Sequence, residues 1–168
     1  MIRVLERLGV PRTLMLGFLA VAIFMTGDGF ELTFLSKFMV DQGFSSSQAS
    51  LLITVYGLFA AFGGWSAGVL AEMFGARKVM MFGACWWIGV HLLFLGVAIP
   101  SHIYPLILGL YAMRGIGYPL FIYSFVVLMA QYISPSRLAS ATGFFWTCFS
   151  LGSVCSEHIC QASSCRCR

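Results

Sequence analysis

Runs of apolar residues, broken at intervals by short polar turns, fill most of the chain, and the lengths of the runs decide what they are. Four long stretches, Leu14–Lys37, Ser50–Ala71, Val79–Ile99 and Ile103–Ala130, are followed by the start of a fifth at Leu138. Each long stretch is near the ~20 residues a helix needs to cross a hydrocarbon core about 30 Å thick. The connections carry turn formers: Asp41-Gln42-Gly43 followed by Ser45-Ser46-Ser47, then Phe74-Gly75-Ala76, Pro100-Ser101 and Ser134-Pro135-Ser136. Links this short predict helical hairpins with no soluble domain inserted between them. Ala60, Gly64 and Gly68 recur on one face of the second stretch, where a neighbouring helix is expected to come close.

Composition excludes a water-soluble core. The chain is 60% hydrophobic and 10% charged, with a mean hydropathy of +0.90, against about 25% charged residues in soluble domains. The net charge of +4 comes from dispersed residues that never form a run able to track a phosphate backbone, so nucleic acid is not an expected partner. Their placement says more. Arg3, Arg7 and Arg12 precede the first stretch, Arg77 and Lys78 lie between the second and third, and Arg137 lies between the fourth and fifth. The alternate connections, Asp41–Ala49 and Pro100–His102, hold no Lys or Arg. The positive-inside rule then puts the tail of residues 1–13 in the cytoplasm, in a multi-pass protein of the plasma (inner) membrane in contact with lipid. The first stretch runs past the length of a signal-peptide core and reaches Asp28 and Glu31 without a small-residue cleavage pattern, so it is expected to stay as a membrane helix.

Charges inside the stretches are the next clue. Asp28 and Glu31 are three residues apart, hence neighbours on one helical face. Each charge at a helix centre costs ~2.5–3.5 kcal/mol on insertion scales, so both are expected to face a cavity or a partner. The comparable basic group is Arg114, roughly 17 Å from the outer end of the fourth stretch, while Asp28 is about 21 Å from the inner end of the first. Both fall in the middle third of the bilayer. The pairing of Asp28 or Glu31 with Arg114 reads either as part of a proton and substrate pathway or as an ion pair that only fixes helix register. Tyr56, His91, Tyr118, Tyr123 and Ser124 supply groups able to hydrogen-bond a polyhydroxy solute, although each taken alone is accounted for as packing. Lys37 is placed to snorkel to the outer interface. An intramembrane aspartyl protease needs two facing aspartates where the stretches offer Asp28 alone, and no Ser and His fall convincingly at matching depth. No catalytic residues, and no enzyme, are expected.

Residues 154–168 depart from the pattern, because the fifth stretch gives only about sixteen residues before Cys155-Ser156-Glu157-His158. Cys155, Cys160, Cys165 and Cys167 stand here with His158, but without paired Cys-x-x-Cys knuckles, so neither a metal site nor a cofactor is expected. Written with permitted codons, Val154–Cys160 gives Val-Phe-Gly-Ala-Tyr-Leu in another reading frame, which restores an apolar helix end. The tail therefore reads as the product of a shifted frame.

One connection carries a recognisable pattern. Gly68-Val69-Leu70-Ala71-Glu72-Met73-Phe74-Gly75-Ala76-Arg77-Lys78 resembles the loop between spans two and three of the major facilitator superfamily, Gly-x-Leu-Ala-Asp-Arg-x-Gly-Arg-Arg. Glu72 stands for the usual Asp, Met73 for a basic residue and Ala76 for the first Arg after Gly75. Arg114-Gly115-Ile116-Gly117-Tyr118-Pro119 is similar to the Arg-containing motif of the family's fourth helix, without its Gln-Gly. Together with Phe24-Met25-Thr26-Gly27-Asp28-Gly29-Phe30-Glu31 and Leu120-Phe121 it looks like the family's ribitol and D-arabinitol transporter branch, some members of which are named α-ketoglutarate permease. The resemblance covers about residues 13–153.

The resemblance implies an all-α membrane bundle in which residues 14–153 form four complete transmembrane helices and a partial fifth, all from the N-terminal half of a facilitator fold. It implies secondary active, proton-coupled uptake of a polyol by alternating access, with Asp28, Glu31 and Arg114 on the proton and substrate pathway. Gly68, Glu72, Gly75, Arg77 and Lys78 would form the loop that latches the two halves. The C-terminal half would be a missing partner, since complete members bind solute near the midplane between two six-helix halves. Uptake of an organic acid such as α-ketoglutarate by the same fold, or a small multispan scaffold that transports nothing, are the alternatives.

Overall fold

A computed structural model describes the backbone of residues 12–166 and the side chains of residues 14–151 apart from Phe30 and Thr33. Five helices follow one another: α1, Arg12–Asp41; α2, Ser46–Phe74; α3, Ala76–Ser101; α4, Tyr104–Tyr132; and α5, Pro135–Arg166. There is no strand among the described residues. The helices α1 to α4 are each long and apolar enough to cross a membrane. They overrun the apolar stretches at most ends, because a helix continues into the interface where polar residues no longer oppose it. Arg3, Arg7 and the side chains of the Cys-rich tail lie outside the described residues.

The turns form where local chemistry requires them. After α1 the Phe44 N–H bonds the Met39 carbonyl at 3.1 Å and the Gly43 N–H bonds that of Val40 at 3.0 Å, with Gly43 at φ +90°. This is the Schellman ending that a glycine beyond the helix permits. Ser45 then caps α2: its Oγ accepts from the Gln48 N–H at 3.2 Å, and Gln48 Oε1 accepts from the Ser45 N–H at 2.9 Å. That reciprocal pair satisfies two N–H groups left open at the helix start. A single residue, Gly75 at φ +88°, separates α2 from α3, and its carbonyl accepts from the Lys78 and Val79 N–H groups. Pro135 opens α5 at the position where a missing N–H costs nothing.

A π-helical turn at Phe94–Ala98 interrupts α3 just before Pro100. Pro100 has no N–H for the Gly96 carbonyl and crowds it, which accounts for the wider turn. The Ile99 N–H bonds the Phe94 carbonyl five residues back. His102, at φ +53°, then ends the helix.

The chain divides into two compact units, Ser50–Leu128 and the remainder. In the remainder, α1 packs along α5, with the Phe18 and Phe144 rings edge-to-face at 5.3 Å. In Ser50–Leu128, α4 lies between α2 and α3. Lipid provides little hydrophobic drive for helices to associate, so close approach at small residues has to hold them together. A Cβ placed on Gly115 would meet the Tyr56 carbonyl oxygen of α2 at 2.7 Å, and one on Gly63 would meet that of Ile116 at 2.9 Å. On the opposite face, a Cβ on Gly117 would meet the Trp87 nitrogen at 2.9 Å, and one on Gly83 would meet Leu120 Cβ at 2.7 Å. Two residues along a helix turn about 200°, so Gly115 and Gly117 open opposite sides of α4. Of the expected stripe on α2, Ala60 and Gly64 approach α4. Gly64 meets the Tyr123 ring, nothing described lies within 4 Å of a Cβ on Gly68, and Gly63 makes the closest approach. The outward faces of α2 and α3 carry exposed Leu58, Trp65, Phe82, Ile88 and Leu92, as lipid-facing surfaces do.

Candidate functional site

The centre of the Ser50–Leu128 unit is Arg114, whose side chain is fully buried. Three aromatic rings hold it. Its guanidinium carbon lies 4.4 Å from the ring centroid of Trp87, 5.4 Å from that of Tyr111 and 5.8 Å from that of Tyr56. The motif around Arg114 explains how they arrive. Tyr111 is three residues earlier on α4, on the same face. Gly115 lets the α2 backbone in at Tyr56, and Gly117 lets the α3 backbone in at Trp87. The rings brace one another: Tyr56 and Tyr111 at 4.9 Å, Phe94 and Tyr111 at 5.3 Å, and Trp87 stacked on His91 at 5.0 Å and 15°. The neighbouring Trp86 donates its indole N–H to the Met113 carbonyl at 2.9 Å, fastening α3 to α4 beside Arg114. A desolvated cation over an aromatic face gains ~2 kcal/mol or more, the same order as the ~2.5–3.5 kcal/mol cost of the charge at this depth.

Of the residues singled out from the sequence, Tyr56 and Arg114 meet directly, and His91 joins them through Trp87. Ser124 lies ten residues beyond Arg114, about 15 Å along the helix. It is fully buried, and its hydroxyl has no hydrogen-bond partner among the described residues. Tyr118 is half-buried, while Tyr123 is 44% exposed and packs its ring over Gly64. Asp28 is buried, at 3% exposure, and Glu31 half-buried. Both belong to the unit of α1 and α5. Trp87 and Tyr111 were not picked out from the sequence. The available signal was helical spacing: Tyr111 and Arg114 are three apart, and Trp87 and His91 four apart.

At the α2–α3 connection Glu72, Arg77 and Lys78 are exposed. Gly75 makes the sharp turn between the helices through its positive φ, a conformation that costs a residue with a side chain about 1–3 kcal/mol.

Apolar helices of spanning length, glycine-mediated packing and a wholly buried arginine define a multi-pass α-helical membrane protein with ionisable groups in its interior. The chain belongs to the Major Facilitator Superfamily, whose family model matches residues 16–156. It is 46% identical over 145 residues to the D-arabinitol transporter of Klebsiella pneumoniae and 45% identical over 144 residues to the ribitol transporter of the same organism. Both alignments cover 86% of this chain and 34% of the relative. It is also 42% identical over 149 residues to the alpha-ketoglutarate permease of Bacillus subtilis (strain 168), covering 89% of this chain and 34% of that protein. The chain thus spans about a third of the length of these relatives. No solved structure matches it significantly.

Proposed function

We propose that this chain is the N-terminal part of a secondary transporter that takes up a polyol such as ribitol or D-arabinitol together with a proton. The N-terminus is cytoplasmic in this reading. The observation that carries it is Arg114, fully buried at mid-span in its aromatic cage, in a chain similar to two transporters named for pentitols.

Charge favours a neutral solute. Within the spans, α1 carries two carboxylates, Asp28 and Glu31, and α4 carries the Arg114 guanidinium. A dicarboxylate brought among carboxylates in a low-dielectric interior adds negative charge, whereas a polyol adds none. In this proposal Asp28 or Glu31 carries the proton, Arg114 biases its protonation and contacts solute, and Tyr56, Tyr118, Tyr123, Ser124 and His91 offer hydrogen bonds to hydroxyls. The loop from Gly68 to Lys78 serves as the latch, with Glu72, Arg77 and Lys78 available to a second half. Organic-acid uptake is the second reading, favoured by Arg114 as a carboxylate partner and by the similarity to a protein named alpha-ketoglutarate permease.

The test is a transporter in which residues 13–153 replace the corresponding part of the Klebsiella pneumoniae D-arabinitol transporter. Under an inward proton gradient it should accumulate labelled D-arabinitol or ribitol, with α-ketoglutarate a poor competitor. Accumulation of α-ketoglutarate with no response to either pentitol would overturn the polyol reading in favour of the acid.

A further inference from the structure

Trp87 is the ring nearest the Arg114 guanidinium, at 4.4 Å, and tryptophan offers the strongest cation-binding face among the aromatic side chains. Its own position is fixed from several sides. His91 stacks on it, Gly117 admits its backbone against α4, and Trp86 ties the same turn of α3 to the Met113 carbonyl. Tyr111, the next ring, is held by Phe94, the first residue of the π-helical turn, and by Tyr56.

We propose that Trp87 is a positioning residue for Arg114: with Tyr111 it orients the guanidinium through ring faces, so that the N–H groups at the guanidinium edge meet solute oxygens. This rests on the reading of Arg114 as a solute contact. The chemistry divides the group cleanly. Cation–π attraction acts through the face, while the five N–H donors lie in the plane and match two adjacent oxygens of a vicinal diol or a carboxylate. A side chain already fixed loses less freedom when solute binds, which is worth about 3- to 10-fold in affinity per immobilised long side chain. The cage therefore acts on solute affinity more than on turnover.

Two measurements separate the positioning from the contact. In the 168-residue chain labelled with 15N-arginine in phospholipid nanodiscs, Arg114→Lys assigns the Arg114 Nε–H resonance. That resonance should be displaced by ring current, should move to the position of a free arginine in Trp87→Leu, and should fall between the two in Trp87→Phe. Circular dichroism checks that each variant keeps its helix content, and Trp87→Phe carries the test if Trp87→Leu loses it. A resonance at the free-arginine position in the unsubstituted chain, or one unmoved by either change, overturns the positioning. In the transporter joined to the Klebsiella pneumoniae C-terminal part, Trp87→Leu should raise the KM for pentitol by about 3- to 10-fold with kcat within about twofold, and Trp87→Phe should restore most of the affinity. A resonance that moves while KM does not would leave Arg114 held by Trp87 but remove it from the solute site, overturning the contact reading. A fall in kcat at constant KM would overturn the claim that the cage acts on affinity.

Discussion

Replacing Gly83 by alanine tests the packing that builds the site. A Cβ there would lie 2.7 Å from both Leu120 Cβ and the Phe121 nitrogen. Carbon atoms settle at about 3.5–4.0 Å, so α3 and α4 would have to part locally by about 1 Å. One of these neighbours is a main-chain atom and the other is attached directly to the main chain, so neither can swing aside as a side-chain tip would. Overpacking of this kind costs about 1–3 kcal/mol, against which alanine gains about 0.8–1.0 kcal/mol of helix propensity over glycine. Gly89, on the same helix, separates the two terms, since nothing described lies within 4 Å of a Cβ placed there. Gly89→Ala should keep the propensity gain alone. The two variants should therefore differ by about 1–3 kcal/mol, with Gly83→Ala the less stable. Reversible unfolding in mixed micelles by sodium dodecyl sulfate, followed by far-ultraviolet circular dichroism, measures the difference. Equal stabilities, or a more stable Gly83→Ala, would refute the close approach of α3 to α4.

Three further outcomes follow from local geometry, by the same unfolding assay. Gly75→Ala should cost about 1–3 kcal/mol through its positive φ alone, because a Cβ there meets nothing described within 4 Å; no loss would show that the turn adjusts freely. Ser45→Ala should lose about 0.5–2 kcal/mol with the cap on Gln48, and a neutral result would mean that water replaces the cap in full. Trp86→Phe keeps the ring but not the indole donor to Met113, and should cost about 0.5–1.5 kcal/mol; unchanged stability would argue against that bond.

How much of this was legible in the sequence varies with the kind of interaction. Spans and turns were plain, because the bilayer demands long apolar runs and the links carry Gly43, Gly75 and Pro135. Helix ends were less so: apolarity marks the hydrocarbon layer, whereas α1 reaches Asp41, beyond Lys37, stopped by Gly43. The packing face of α2 was legible in part: Ala60 and Gly64 do approach α4, Gly68 does not, and Gly63 beside them comes closest. A helix that is apolar all round has no hydrophobic face to reveal which side meets a partner. Arg114 stood out as a charge among apolar residues, and the family pattern marked its neighbourhood. The cage did not stand out, because Trp87 and Tyr111 look like ordinary membrane aromatics until Gly115 and Gly117 bring α2 and α3 against α4.

We propose that a carboxylate of α1 carries the proton that drives uptake, and replacing Asp28 and Glu31 in the joined transporter puts this to the test. A carboxylate that only loads and releases a proton is dispensable for exchange of solute across the membrane, where no net proton moves, but not for accumulation against a gradient. Asp28→Asn together with Glu31→Gln should abolish pH-driven pentitol accumulation while exchange of internal for external solute continues, and whichever single variant removes the proton carrier should do the same alone. Full pH-driven accumulation in the double variant would contradict it.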